Sequence, residues 1–152
     1  EAELTFGRRV GEAVEAHLIA IDSSHMDPER YHAEPYVLPG NVDGPESPLF
    51  GRAGWTWYTG SAAWLPRIVS GWVLGVRVTW DGLRFEPCLP PSWQQASLER
   101  PWRGATLVIS IERTTELAAG TVEVEVDGKP LPGGFLTEVP SGARLAVKVR
   151  FG

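Results

Sequence analysis

A chain of 152 residues, 43% of them apolar and carrying a formal charge of -5, is long enough to bury the core of one ordinary domain or two small ones. The acidic balance argues against nonspecific nucleic-acid binding, which needs Lys and Arg to neutralise phosphates, and no apolar run approaches the roughly 20 residues that span a bilayer. The lone cysteine, Cys88, forms no internal disulfide, and the acidic start Glu1-Ala2-Glu3 is unlike a signal peptide, so a cytoplasmic protein is expected.

Residues 10–21 read as an amphipathic helix. Val10, Ala13, Val14, Leu18 and Ile21 recur at helical spacing, while Arg9, Glu12 and Glu15 take the other faces. Only one other helix is legible in the chain, so this apolar stripe lacks a visible cover.

Residues 25–54 hold Pro28, Pro35, Pro39, Pro45 and Pro48 among several glycines, punctuation that forbids long regular structure. Loops of that length are usually functional or disordered. The content of Tyr31, His32, Glu34, Tyr36 and Phe50 favours an ordered functional loop. Pro35 biases Glu34 toward an extended backbone, which aims its carboxylate away from the local backbone.

The run Gly51-Arg52-Ala53-Gly54-Trp55-Thr56-Trp57-Tyr58-Thr59-Gly60-Ser61-Ala62-Ala63-Trp64 places four aromatic rings around the start of the second helix. The free N–H groups and positive dipole end at Thr59-Gly60-Ser61 can hold an anion. Trp55, Trp57, Tyr58 and Trp64 offer flat faces with polar edges on which rings stack. The alternative reading makes the aromatics core and Thr59 or Ser61 a helix cap. The helix is expected over residues 61–76, with Leu65, Ile68, Val69, Trp72, Val73 and Val76 as its buried stripe and Gly75 as a stop signal. Pro66 fits only near the helix start; further in, it removes a hydrogen bond.

Beyond residue 80 the period changes to two. Leu83–Glu86, Leu107–Ile111, Val122–Val126 and Leu145–Phe151 alternate as half-buried strands. Asp81-Gly82, Pro90-Pro91, Asp127-Gly128 and Pro132-Gly133-Gly134 separate them. Asp127-Gly128 predicts a tight turn. The expected fold is α+β, helices first and then a small antiparallel sheet or sandwich.

His17, His25 and His32 with one Cys do not form a metal-ligand pattern. Phosphate-loop and dinucleotide signatures are absent, and Ser61 lies outside a G-x-S-x-G elbow. What remains is a constellation for anion and sugar: His25, His32, the Thr59 hydroxyl and the Gly60 N–H as donors, and Glu34 as acceptor. By residue chemistry alone, loop and surface roles for His25 and Glu34 stand equally open.

The run Glu34-Pro35-Tyr36-Val37, followed by the Gly51–Trp64 stretch, resembles glycoside hydrolase family 94. Gly71-Trp72-Val73-Leu74-Gly75-Val76-Arg77-Val78-Thr79-Trp80-Asp81-Gly82-Leu83 with Pro87-Cys88-Leu89-Pro90 resembles it too. That family holds cellobiose and chitobiose phosphorylases and the C-terminal region of cyclic β-1,2-glucan synthases. The Trp-Thr-Trp-Tyr-Thr-Gly-Ser form is most similar to the glucan-synthase branch.

The resemblance implies an inverting phosphorolysis, in which inorganic phosphate attacks the anomeric carbon of a β-glucoside while a carboxylic acid protonates the leaving oxygen. It assigns phosphate binding to Thr59, Gly60 and His25, with His32 as the alternative histidine. It assigns sugar contacts to Glu34, Trp57 and Tyr58. No metal or organic cofactor is implied; phosphate is a co-substrate, and a β-glucan oligosaccharide is the partner. It further implies that residues 1–80 are the last helices and active-site loop of an (α/α)6 toroid, and residues 81–152 a closing β-domain.

The family's general acid lies in an Asp-Trp-Asn-Asp-like segment, which this sequence lacks. The expectation is therefore a C-terminal piece, inactive alone, whose helices are covered by a missing upstream segment or by a second copy. A noncatalytic carbohydrate-binding module and a structural remnant are the alternatives.

Overall fold

The computed structural model describes residues 27–34, 39–55 and 59–152, with residues 59–62 described in backbone only. The helix expected over residues 10–21 lies outside these residues. The first element is a single turn, α1 (Pro28–Tyr31), capped by Asp27, whose carboxylate accepts from the Glu29 N–H at 3.0 Å. Pro28 suits the first helical position, where an N–H is unpaired in any case. The turn ends at His32 in the left-handed conformation (φ 57°), with its N–H donating to the Pro28 carbonyl at 3.1 Å.

From Pro39 the chain is built around a minimal antiparallel pair, β1 (Asn41–Val42) and β2 (Ala53–Gly54). Within the loop between them, Asp43 N donates to Arg52 O and Gly51 N donates to Asp43 O, both at 2.9 Å. Ser47 Oγ caps the bend by accepting from the Leu49 N–H at 3.0 Å. The order expected of this loop thus comes from main-chain hydrogen bonds rather than from regular structure.

The second helix, α2 (Thr59–Ile68), begins two residues before the expected start and ends earlier than the stripe predicted. Pro66 sits well inside it, where it withdraws one rung of the ladder. The chain then widens into a π-turn over Val69–Val73, closed by Leu74 N donating to Val69 O at 2.8 Å. Gly75 stops the helical path at φ 69°, and a Cβ there would lie 2.1 Å from the Glu86 carbonyl oxygen. Val76, read from the sequence as the last helical residue, is instead the first residue of a strand.

That strand, β3 (Val76–Val78), pairs with β4 (Leu83–Phe85), and β4 pairs with β9 (Phe135–Leu136) in a three-stranded antiparallel sheet. A five-stranded sheet follows from β5 (Gln95–Trp102), β6 (Ala105–Arg113), β7 (Val122–Val126), β8 (Lys129–Pro130) and β10 (Arg144–Phe151), in the order β5-β6-β10-β7-β8. Asp127 and Gly128, both at positive φ, make the tight turn expected of them.

Two expectations are corrected here. The larger sheet is mixed rather than antiparallel, because β10 runs parallel to β6, with Arg144 opposite Thr106 and Phe151 opposite Arg113. A parallel pair needs a long crossover, and the β7–β8 hairpin and β9 lie within the connection. The sequence reading also missed β5. This edge strand is polar and contains Pro101, and only on an edge is a missing ladder donor tolerated. The α+β character stands, with strands dominating.

Leu107, Ile109 and Ile111 point inward from β6 and Val147, Val149 and Phe151 from β10. They share one hydrophobic cluster with Val76, Leu83, Phe85 and Leu136 of the smaller sheet and with Val73 and Leu74 of the π-turn. Each fully buried Leu, Ile or Val contributes about 1.5–3 kcal/mol over an exposed one. Arg113 ties the 86–94 connection to this core. Its guanidinium donates to the Leu89 carbonyl at 2.9 Å and lies 4.7 Å from the centre of the Phe151 ring.

Candidate functional site

The features that could bind a ligand gather in the segment from Asp27 to the start of α2. Two grooves flank the 43–52 loop. One, of about 560 Å³, is lined by Asn41, Asp43, Leu49, Arg52, Ala53, Gly54 and Trp55. The other, of about 460 Å³, is lined by Asp27, Glu29, Arg30, His32, Pro48, Leu49, Phe50 and Arg52. Leu49 and Arg52 belong to both, so they form the partition between them.

The approach of α1 to this loop depends on Gly51. At φ 84° it carries no side chain, and an added Cβ would meet Arg30 Cδ at 2.9 Å. The methylenes of Arg30 therefore lie across Gly51, which brings its guanidinium to the groove that Arg52 also lines. Neither arginine has an ion-pair partner among the described residues. His32, the alternative phosphate histidine, lines the same groove as an exposed side chain. Arg30 and Arg52 were not singled out from the sequence. The available signal was the Gly51-Arg52-Ala53-Gly54 spacing, where an arginine between glycines has room to reach out.

Of the other predicted site residues, His25, Trp57 and Tyr58 lie outside the described residues. Thr59 and Gly60 form the first turn of α2, where N–H groups have no partner within the helix. Glu34 is exposed and lines neither groove.

Trp55 is 80% exposed and Trp64 52%. For these two rings the reading as core aromatics fails. Trp55 also holds φ at 53°, a conformation that is an outlier for a bulky side chain and persists only where the surroundings enforce it. Gly40 provides that enforcement, its N–H donating to the carbonyls of Gly54 at 3.1 Å and Trp55 at 3.2 Å. Arg67 covers the Trp64 ring at 5.3 Å.

The arrangement thus provides cationic forks, amide and carboxylate acceptors, one solvent-facing indole and a helix start. Those are tools for binding a polyhydroxylated ligand or an oxyanion. No cluster of three or more metal-ligating side chains occurs among the described residues, and no helix there is long and apolar enough to cross a membrane.

Comparison with known proteins gives this segment a context. Residues 5–75 match the glycosyl hydrolase 94 superfamily, catalytic domain, and residues 76–131 match the glycosyl hydrolase family 65, C-terminal domain. Solabiose phosphorylase of Paenibacillus borealis is 29% identical over 142 residues, 93% of this chain and 18% of the relative. Cyclic beta-(1,2)-glucan synthase NdvB of Rhizobium meliloti (strain 1021) is 43% identical over 101 residues, 66% of this chain and 4% of the relative. N,N'-diacetylchitobiose phosphorylase of Vibrio proteolyticus is 33% identical over 105 residues, 69% of this chain and 13% of the relative. The chain spans less than a fifth of the length of each. The family matches and the relatives agree with the Trp-Thr-Trp-Tyr-Thr-Gly-Ser run and its flanking motifs: residues 5–75 belong to the glycosyl hydrolase 94 superfamily.

Proposed function

We propose that this chain is the C-terminal part of an inverting β-glucoside phosphorylase or glycosyltransferase and contributes half of its phosphate and sugar site. In this reading the first-turn N–H groups of α2, the Thr59 hydroxyl and His25 hold inorganic phosphate, with no metal or organic cofactor. Trp57, Tyr58 and Glu34 face the sugar. The observation that carries the reading is the start of α2 at Thr59-Gly60, four residues after a strained, solvent-facing Trp55. Relatives that are phosphorylases, acting on solabiose and on diacetylchitobiose by name, support it.

Helix α2 takes the place of one of the last helices of an (α/α)6 toroid, and residues 81–152 are the closing β-domain. The two family matches meet five residues before that boundary, at residues 75 and 76, which supports a division in this part of the chain. The general acid is supplied by an upstream segment of Asp-Trp-Asn-Asp type, so the chain alone is inactive. The exposed Trp64 flank of α2 is covered by that segment or by a second copy.

Calorimetric titration of the chain with inorganic phosphate tests the reading. Thr59→Val abolishes phosphate binding, and His25→Ala weakens it by about 1.5–3 kcal/mol, the worth of a hydrogen bond to a charged group. Unchanged affinity in both variants overturns the assignment. Sugar binding without phosphate binding instead favours a noncatalytic carbohydrate-binding module, a reading for which the exposed Trp55 and Trp64 speak.

A further inference from the structure

The turn between β3 and β4 presents an indole with nothing packed on it: Trp80 is 99% exposed. The backbone beneath that side chain is held from three directions. Thr79 N donates to Gly82 O at 2.8 Å, and Thr79 Oγ1 accepts from Gly82 N at 3.2 Å, closing the turn on itself. Gly82 is seated against β9, where an added Cβ would lie 2.3 Å from the Leu136 carbonyl oxygen. From the larger sheet, Arg103 Nη2 donates to the Trp80 carbonyl at 3.2 Å and Nη1 donates to the Thr137 carbonyl at 2.6 Å.

Arg103 is itself unusual. It occupies, at φ 45°, the first position of the two-residue turn between β5 and β6, with Gly104 at φ 81° as the second. Asn, Asp or Gly ordinarily fills that first position. The Arg103 guanidinium also lies 4.8 Å from the centre of the ring of Trp102, a member of the hydrophobic cluster, so it ties the core to the turn that carries Trp80, whose own indole adds nothing to that cluster. Strain of this kind gathers where a site is held ready.

We propose that Trp80, with Asp81 and Arg103, is a surface site for a gluco-oligosaccharide, on a different element from the Thr59 region. The ligand class rests on the carbohydrate reading above; the location does not. A pyranose ring has an apolar C–H face that fits one indole and a rim of hydroxyls. Asp81 beside the indole is exposed and accepts from such hydroxyls, and the remaining N–H groups of Arg103 donate to them. A protein partner asks instead for a contiguous, charge-depleted apolar patch, and here the indole is flanked by a carboxylate and a guanidinium.

The test is calorimetric titration of the 152-residue chain with cellotetraose and with a β-1,2-linked glucotetraose, comparing wild type, Trp80→Ala and Val108→Ala. Trp80→Ala is expected to weaken binding of at least one sugar by about tenfold, which is about 1.4 kcal/mol, while Val108→Ala, at an exposed position outside both sites, leaves that binding in place. The melting temperature of Trp80→Ala stays that of wild type, since the lost ring is exposed. Equal affinity in wild type and Trp80→Ala overturns the proposal, as does the absence of sugar binding by wild type. The phosphate titration of Thr59→Val judges the phosphorylase reading independently of either result. A dimer of wild type in sedimentation that Trp80→Ala dissolves, without sugar binding, also overturns it and assigns the indole to a protein contact.

Discussion

Arg144 grips Glu99 across the width of β6. Its Nη1 and Nη2 donate to the two carboxylate oxygens at 2.9 and 2.8 Å, joining the edge strand β5 to the central β10. Arg144 stands opposite Thr106 and Glu99 opposite Val108 on the intervening strand, so the side chains reach diagonally over it. Hydrogen bonding and the charge of the guanidinium hold the Glu99 carboxyl below the usual glutamate range.

A depressed carboxyl stabilises the fold above its unfolded-state value and loses that contribution as pH falls through its folded-state value. Thermal unfolding of wild type and Glu99→Gln should therefore differ at pH 7 and converge as the pH drops below the ordinary glutamate value of 4.5. The difference is small because the pair is open to solvent, and it shrinks further in high salt. A gap of equal size at pH 7 and pH 3 would count against the ion pair as its source.

Gly75 is the hinge between the helical path and the first sheet. Its φ of 69° and the 2.1 Å approach of the Glu86 carbonyl to an added Cβ leave no room for a side chain. Gly75→Ala should destabilise the chain by on the order of 3 kcal/mol, combining left-handed strain with a backbone clash. Urea denaturation reads this directly, and a loss below about 0.5 kcal/mol would mean that the hinge relaxes at no cost.

On β6, neighbouring residues should respond oppositely. Ile109 is fully buried at the centre of the cluster, whereas Val108 faces solvent at 38% exposure. Ile109→Ala should cost about 2–5 kcal/mol by lost burial and a residual cavity, and Val108→Ala about 0.5 kcal/mol or less. Comparable losses would contradict the facing of the sheet.

Trp55 sets stability against binding. Trp55→Gly removes a left-handed strain of about 1–2 kcal/mol for a non-glycine residue, offset by about 0.5–1 kcal/mol of added unfolded-state freedom. The melting temperature should hold or rise slightly, since the ring is 80% exposed. Any sugar bound in the Asn41–Trp55 groove should weaken in the same variant. A marked loss of stability would show that the indole is a packing residue.

Much of the chain was legible because side-chain periodicity is local. Leu107, Ile109 and Ile111 alternate with Val108, Ser110 and Glu112, and that alone marks a strand with one buried face. Asp127-Gly128 and Gly75 declared a turn and a stop because few residues adopt positive φ without strain. The Thr59-Gly60 helix start and the family itself were likewise carried by short runs of residue type and order.

Other features belong to the tertiary structure, and the reason is physical. Period two is the same for parallel and antiparallel partners, so the sequence fixes no direction for β10; the insertion of that strand between β6 and β7 does. Edge strand β5 hides its character because half its positions are polar and Pro101 is tolerated only with no neighbour on that side. An aromatic residue carries no mark of its own exposure. Whether Trp55 and Trp80 face solvent while Trp102 is buried depends on which elements pack against each one, and that is settled only when distant parts of the chain meet.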